Sequence, residues 1–287
     1  MDILKLDLVS AVGSIPYVAV IFALVLLAKY GFDYWFSSEA ATTSDFEIEE
    51  ASNLAVGIRR TGIYLGIPIG LLGTLIGESQ GLWMDIMLIA QEGVLVMLFI
   101  FIASVISDKA ILPNIANTDE VLSDNTAVAC VEFGLYVATG LIAYGSFIGE
   151  GGGLVSALVF FGLGQLALIF CTKVYEAVTP YEVVEMVSDG NTSAGVLLGG
   201  VITAIGLIIH SSISGPFVSW TIDIISFAAF AFLGLLLLLV MQKFADWLFL
   251  PNTTIQTETQ RDNNVSAMLV TVALLNAFAI VLVVGVV

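Results

Sequence analysis

The sequence predicts an all-α polytopic membrane protein: eight transmembrane helices built as four tandem, parallel helix-hairpin repeats. Three observations carry this. The 287 residues are 59% hydrophobic and only 11% charged, with a mean hydropathy of +1.03, whereas a soluble domain carries about 25% charged residues. The apolar stretches are continuous and reach the ~20 residues that cross a bilayer, without the period-two alternation of a membrane barrel. A short polar motif also recurs at hairpin spacing along the whole chain.

Taken in order, the spans are expected at 14–36, 54–77, 83–107, 126–148, 152–175, 193–213, 219–248 and 265–287. The first has only Lys5 ahead of it and no small-x-small site behind it, so it reads as a retained span rather than a cleaved signal. The second opens behind Asn53 and carries Arg59 and Arg60. Gln91 and Glu92 lie toward the outer half of the third. The fourth opens behind Asn125 and holds Glu132. Gln165 lies deep in the fifth, and His210 near the outer end of the sixth, where an interfacial position is expected. Asp223 begins the seventh, and Asn276 interrupts the eighth.

Of the eight basic residues, Lys29, Arg59, Arg60, Lys109, Lys173, Lys243 and Arg261 border the odd-to-even connections, and only Lys5 lies opposite. The positive-inside rule then puts these longer connections in the cytoplasm and both termini outside it. The opposite connections, such as GESQGLW from Gly77 to Trp83 and GEGGG around Glu150, are short and carry no basic residue. A net charge of −17 without a basic patch argues against nucleic acid as a partner. Cys130 and Cys171 sit in apolar stretches and read as small buried hydrophobes. With one histidine and no HExxH, GxSxG or Cys/His cluster, neither an enzyme nor a metal or cofactor site is expected.

The recurring motif is centred on Asn53, Asn125, Asn191 and Asn264, in EASNLAVGIRRTG, LSDNTAVACVEFG, SDGNTSAGVLLGG and RDNNVSAMLVTVA. Six residues before each Asn stands an acid: Glu47, Asp119, Glu185 and Glu258. Two residues after it stands Ala55, Ala127, Ser193 or Ser266. Nine and thirteen residues after it come Gly62 and Gly66, Gly134 and Ala138, Gly200 and Ala204, Ala273 and Ala277. The chain therefore reads as one membrane domain, 1–287, of four units at approximately 1–80, 81–150, 151–215 and 216–287.

Units of two helices return the chain to one side, so successive units should be parallel copies around an axis along the membrane normal. The small pairs four residues apart suit close approach of helices in lipid, so the even helices are expected at the centre. Each Asn stands where an even helix begins and suits an N-cap. The four acids would form a carboxylate ring at the cytoplasmic mouth if the copies converge, and such rings select cations. Arg60 and Glu132 share one repeat position and are expected to pair between the second and fourth spans, with Arg59 snorkelling outward.

The pattern of acid, Asn, small residue, spaced glycines and proline in EIEEASNLAVGIRRTGIYLGIPIG, Glu47–Gly70, resembles the family called domain of unknown function 350. The resemblance covers the four units and is most specific around Asn53, Asn125 and Asn191; Ala273 and the missing proline set the last unit apart. It implies a multi-pass protein of the bacterial inner membrane, similar to two short family members fused, and brings no catalytic residue.

Two functions are open on these residues. One is permeation of a small cation or polar solute along the pseudo-symmetry axis. The other is a non-transporting membrane partner or scaffold, for example in envelope stress, whose acidic loops dock a basic protein. The lipid bilayer is the partner common to both, with a homo-oligomer as a further expectation.

Overall fold

The computed structural model describes residues 2–39, 42–148 and 153–286, and the expected connection around Glu150 lies outside them. Every regular element among the described residues is a helix. The first unit comprises α1 (Asp2–Glu39), α2 (Ser44–Glu49), α3 (Leu54–Gly70) and α4 (Leu72–Ile76). The second comprises α5 (Leu82–Ala110), α6 (Asn117–Leu122) and α7 (Thr126–Phe147). The third is α8 (Gly153–Val178), α9 (Val183–Ser188) and α10 (Thr192–Ile213), and the fourth α11 (Trp220–Phe249), α12 (Ile255–Gln260) and α13 (Val265–Val286). A long outer helix, a six-residue helix and an inner helix thus follow one another four times.

Seven of these helices are long and apolar enough to cross a membrane. The second expected span is the exception, because it is divided between α3, of 17 residues, and α4. The division falls at Leu71, just beyond Pro68, where the Leu71 amide reaches both the Ile67 and Pro68 carbonyls at 3.2 Å.

The inner helices carry most of the packing. α3 lies along α7, α7 along α10, and α10 along α13; α5 covers α3 and α7, α8 covers α7 and α10, and α11 covers α10 and α13. The result is two offset layers, the inner helices in a row. This corrects the expectation of copies around one axis. α3 and α13 occupy opposite ends of the row, each packed on a single inner helix, α3 on α7 and α13 on α10. Burial follows: 78% of the apolar window of α7 is buried and 72% of that of α10, against 22% for α13 and 11% for α1.

Backbone-to-backbone contact makes the row this tight. A Cβ added at Gly134 would lie 2.0 Å from the Gly199 carbonyl oxygen, and one at Gly199 2.1 Å from that of Cys130. At Gly66 it would meet the Tyr136 oxygen at 2.7 Å, at Gly62 the Phe133 Cα at 2.8 Å, and at Gly200 the Val272 side chain at 2.1 Å. Ala138 packs under Gly206, and Ala204 is wholly buried. In lipid, where apolar burial drives little helix association, such close van der Waals approach is the main attraction. Ala273 and Ala277 differ: both are exposed, on the free side of α13.

Gly134→Ala or Gly199→Ala must push two backbones apart, so each is expected to lower stability by about 1–3 kcal/mol. Ala273→Val should change it by no more than about 0.5 kcal/mol. Thermal unfolding in detergent micelles measures both.

Candidate functional site

The repeated asparagine does two jobs at once. At Asn53, Asn125, Asn191 and Asn264 the side-chain oxygen accepts from a backbone N–H in the first turn of its own inner helix, at 2.9 to 3.2 Å. This is N-capping, as expected from the sequence. In the first three units the side-chain NH2 also donates to carbonyls at the end of the next unit's short helix. Asn53 reaches Val121 and Leu122 at 3.1 Å, Asn125 reaches Val187 at 3.2 Å, and Asn191 reaches Thr259 at 2.9 Å. Those carbonyls are the ones a short helix cannot satisfy internally. Asn264, in the last unit, donates instead to its own Glu258 at 2.7 Å.

The residue before each asparagine shares one backbone conformation, and in two units its side chain supports the same ladder. Ser52, Asp124, Gly190 and Asn263 all have positive φ, between 44° and 79°, a conformation that Gly, Asn and Asp tolerate best. Asp124 accepts the Ala55 amide at 2.9 Å and Asn263 the Ser193 amide at 3.0 Å, each across a unit boundary. Gly190 has no side chain to offer, and the Ala127 amide turns to its own Asn125.

The four acids lie one to a short helix, strung along the row. Asp119 and Glu185 are exposed, Glu47 is partly buried, and Glu258 is buried and tied to Asn264. They therefore do not share an environment as members of a ring would.

The intramembrane charges form the densest polar cluster, and its pairing corrects the sequence expectation. Glu132 of α7 meets Arg59, not Arg60, with the arginine Nε 3.1 Å from Oε2 and both side chains almost fully buried. Arg59 also lies over the Trp35 ring, 5.4 Å from its centre. Successive helical residues point about 100° apart, and the face of α3 that meets α7 carries Ala55, Arg59, Gly62 and Gly66. Arg60 falls on the adjoining face. There it donates to Asp45 at 2.6 Å and Asp33 at 2.7 Å and touches Ser44, while Lys29 donates to Asp45 at 2.6 Å. Three cations and three carboxylates, from α1, α2, α3 and α7, balance one another in charge, and Lys29, Asp33, Arg59 and Arg60 line a pocket of about 30 Å³, the size of one water. The Asp45 carboxyl, in the short helix outside the spans, is held below the usual range chiefly by the Lys29 hydrogen bond and then by Arg60.

Other polar residues are also used locally. Glu92 is bonded by Thr74, Asn276 ties α13 to the Gly200 carbonyl of α10 at 3.0 Å, and Asp223 accepts the Val218 and Ser219 amides at the start of α11. His210, in the last turn of α10, is buried and stacked on Tyr144. Among the described residues no group of His, Cys, Asp or Glu could hold a metal ion. The cross-unit donation by the asparagines and the pairing of Arg59 were missed in the sequence. The first had a signal: an amide supplies an acceptor oxygen and two N–H donors on separate atoms, and the motif is Asn in every copy although Ser or Asp would cap as well.

These features define a multi-pass, all-helical membrane protein held together by repeated helix caps and a neutral ion cluster whose Arg59–Glu132 pair is buried. The profile of the Domain of Unknown Function (DUF350) matches residues 7–147 and again 150–286. The chain belongs to that family, whose description names no reaction. It is similar to a UPF0719 transmembrane protein of Aquifex aeolicus (strain VF5), 24% identical over 250 residues that cover 86% of this chain and 90% of the relative. No solved structure matches.

Replacing the ladder asparagines separates their two jobs. Asn53→Ala, Asn125→Ala and Asn191→Ala lose a cap and a cross-unit bond, each worth about 1 kcal/mol, while Asn264→Ala loses no cross-unit bond. The first three should therefore lower the unfolding midpoint about twice as far as the fourth.

Glu132→Gln leaves Arg59 charged and buried and should cost about 3–5 kcal/mol, much of it recovered in Arg59→Leu/Glu132→Leu. Because its folded pKa is depressed, Asp45 stabilises the fold above the ordinary carboxylate value and loses that contribution as pH falls through the lowered one. Asp45→Asn should accordingly flatten the acid limb of a stability–pH profile.

Proposed function

We propose that this protein is a non-transporting scaffold of the bacterial inner membrane whose short-helix end faces the cytoplasm and docks a basic protein. The observation that carries this reading is the packing of the inner helices, backbone against backbone, with the intramembrane charges Arg59, Arg60 and Glu132 engaged by neighbouring groups. Such an interior supports rigidity rather than passage, because a permeation path needs polar groups facing open space. What remains for recognition is the short-helix end, where Glu49, Glu50, Asp119, Glu182, Glu185 and Asp189 are exposed. An acidic surface of this kind suits a cationic partner, held by forces that salt screens over about 10 Å at 0.1 M.

Purified protein reconstituted in liposomes should pass potassium ions and protons no faster than empty vesicles. Binding of a partner from the same organism's soluble fraction should fall at least tenfold between 50 and 500 mM salt, and also in a Glu49→Gln, Glu50→Gln, Asp119→Asn, Glu185→Gln variant. Protein-dependent flux would overturn the scaffold reading and restore permeation. Binding indifferent to both salt and the substitutions would overturn the acidic dock.

A further inference from the structure

We propose that copies of this protein associate head to tail in the membrane, the fourth unit of one copy packing on the first unit of the next through the interface that already joins units inside the chain. The inference concerns the two ends of the row and stands whether or not the acidic surface docks a partner.

The interface inside the chain has a fixed recipe. The donating unit presents its capping asparagine and the small residues nine and thirteen positions beyond it. The receiving unit presents the end of its short helix and, at every junction, the residue eight positions beyond its own asparagine. Gly62 meets Phe133, Gly134 meets Gly199, and Gly200 meets Val272; Thr126 and Thr192 touch through their hydroxyls at 2.8 Å. The pairing of position nine with position eight recurs in three successive junctions, and the hydroxyl contact belongs to the middle one.

At the two ends of the row each half of this recipe stands without its complement in the chain. On α13 the donating positions are Ala273 and Ala277, small as in every other unit, yet both exposed. Asn264 has no following unit and turns back to Glu258. On α3 the receiving position eight beyond Asn53 is Thr61, which is exposed, as are Leu54 and Leu65, by 59% and 44%. The counterpart of Thr61 in the second unit, Phe133, and the one in the third, Gly199, are covered by the preceding unit. α1, which would lie over the groove between α3 and a preceding inner helix, is the least buried of the seven candidate spans, at 11%.

The two faces are therefore complementary to each other and not to themselves, and they lie at opposite ends of one chain. A second copy is the occupant that this continuity selects. Different patches on the two partners make the contact heterologous, so it extends to a third copy and beyond, as a ring or an open row. Since all inner helices begin at the same end, joining copies this way keeps every one in the same membrane orientation.

Thr126 and Thr192 provide the internal ruler, and Val265 and Leu54 hold the same repeat position at the ends of the row. In a full-length background carrying Cys130→Ala and Cys171→Ala, Val265→Cys with Leu54→Cys should form disulfides between copies on mild oxidation of native membranes. Non-reducing gels would then give a ladder of dimer, trimer and higher species, as Thr126→Cys with Thr192→Cys closes inside one chain. Adding Ala277→Trp on the exposed face should reduce the ladder at least fivefold while the internal pair still closes. A monomer band alone, with the internal control closed, would mean that lipid covers both ends and would overturn the proposal. Dimers of equal yield from either single cysteine variant would mean symmetric pairing and would overturn it as well.

Discussion

The structure depends on how a helix end is satisfied at the edge of a bilayer. Each inner helix begins with amides that have no partner in their own helix, and each six-residue helix ends with carbonyls in the same state. One asparagine side chain meets both needs when the two belong to adjacent units. Its oxygen takes the amide and its NH2 reaches the neighbouring carbonyl, at about 3 Å in Asn53, Asn125 and Asn191. In the first three units cap and interface are thereby one interaction, so terminating the helix also places the unit against its neighbour.

Close packing follows from that placement. With the inner helices pinned side by side at their starts, the glycines further along face a neighbouring backbone at distances no larger residue permits. The ion cluster acts at the first junction only. Arg59 and Glu132 hold α3 to α7 within the apolar layer, and Arg60 with Lys29 fastens the short helix α2 to α1. Buried pairs of this kind add little net stability over apolar residues, but either partner alone is costly, so the cluster fixes which helix faces meet.

Much of this was legible in the residues. The long outer helices follow from uninterrupted apolar stretches, because lipid leaves a backbone no other partner than itself. The positions of Asn125 and Asn191 announce where α7 and α10 begin, because capping is local chemistry. The glycines at 62, 66, 134 and 200 announce contact faces. Less was legible of the site. Arg59 and Arg60 are neighbours in sequence with equal chemistry, and nothing in their order says which one turns toward Glu132. Pro68 was visible and α3 runs through it, while the break at Leu71 had no signal in the sequence.

By itself the sequence determined the helical class, the hairpin spacing, the capped helix starts and the small-residue faces, since each depends on residues within a turn or two or on solvation by lipid. Only the tertiary structure decided that the inner helices line up as an open row instead of closing around an axis, that the four acids stand apart, and that Glu132 belongs to Arg59. Those outcomes rest on the rotation between successive units and on the facing of each helix, and both are fixed by all the contacts of the assembly together.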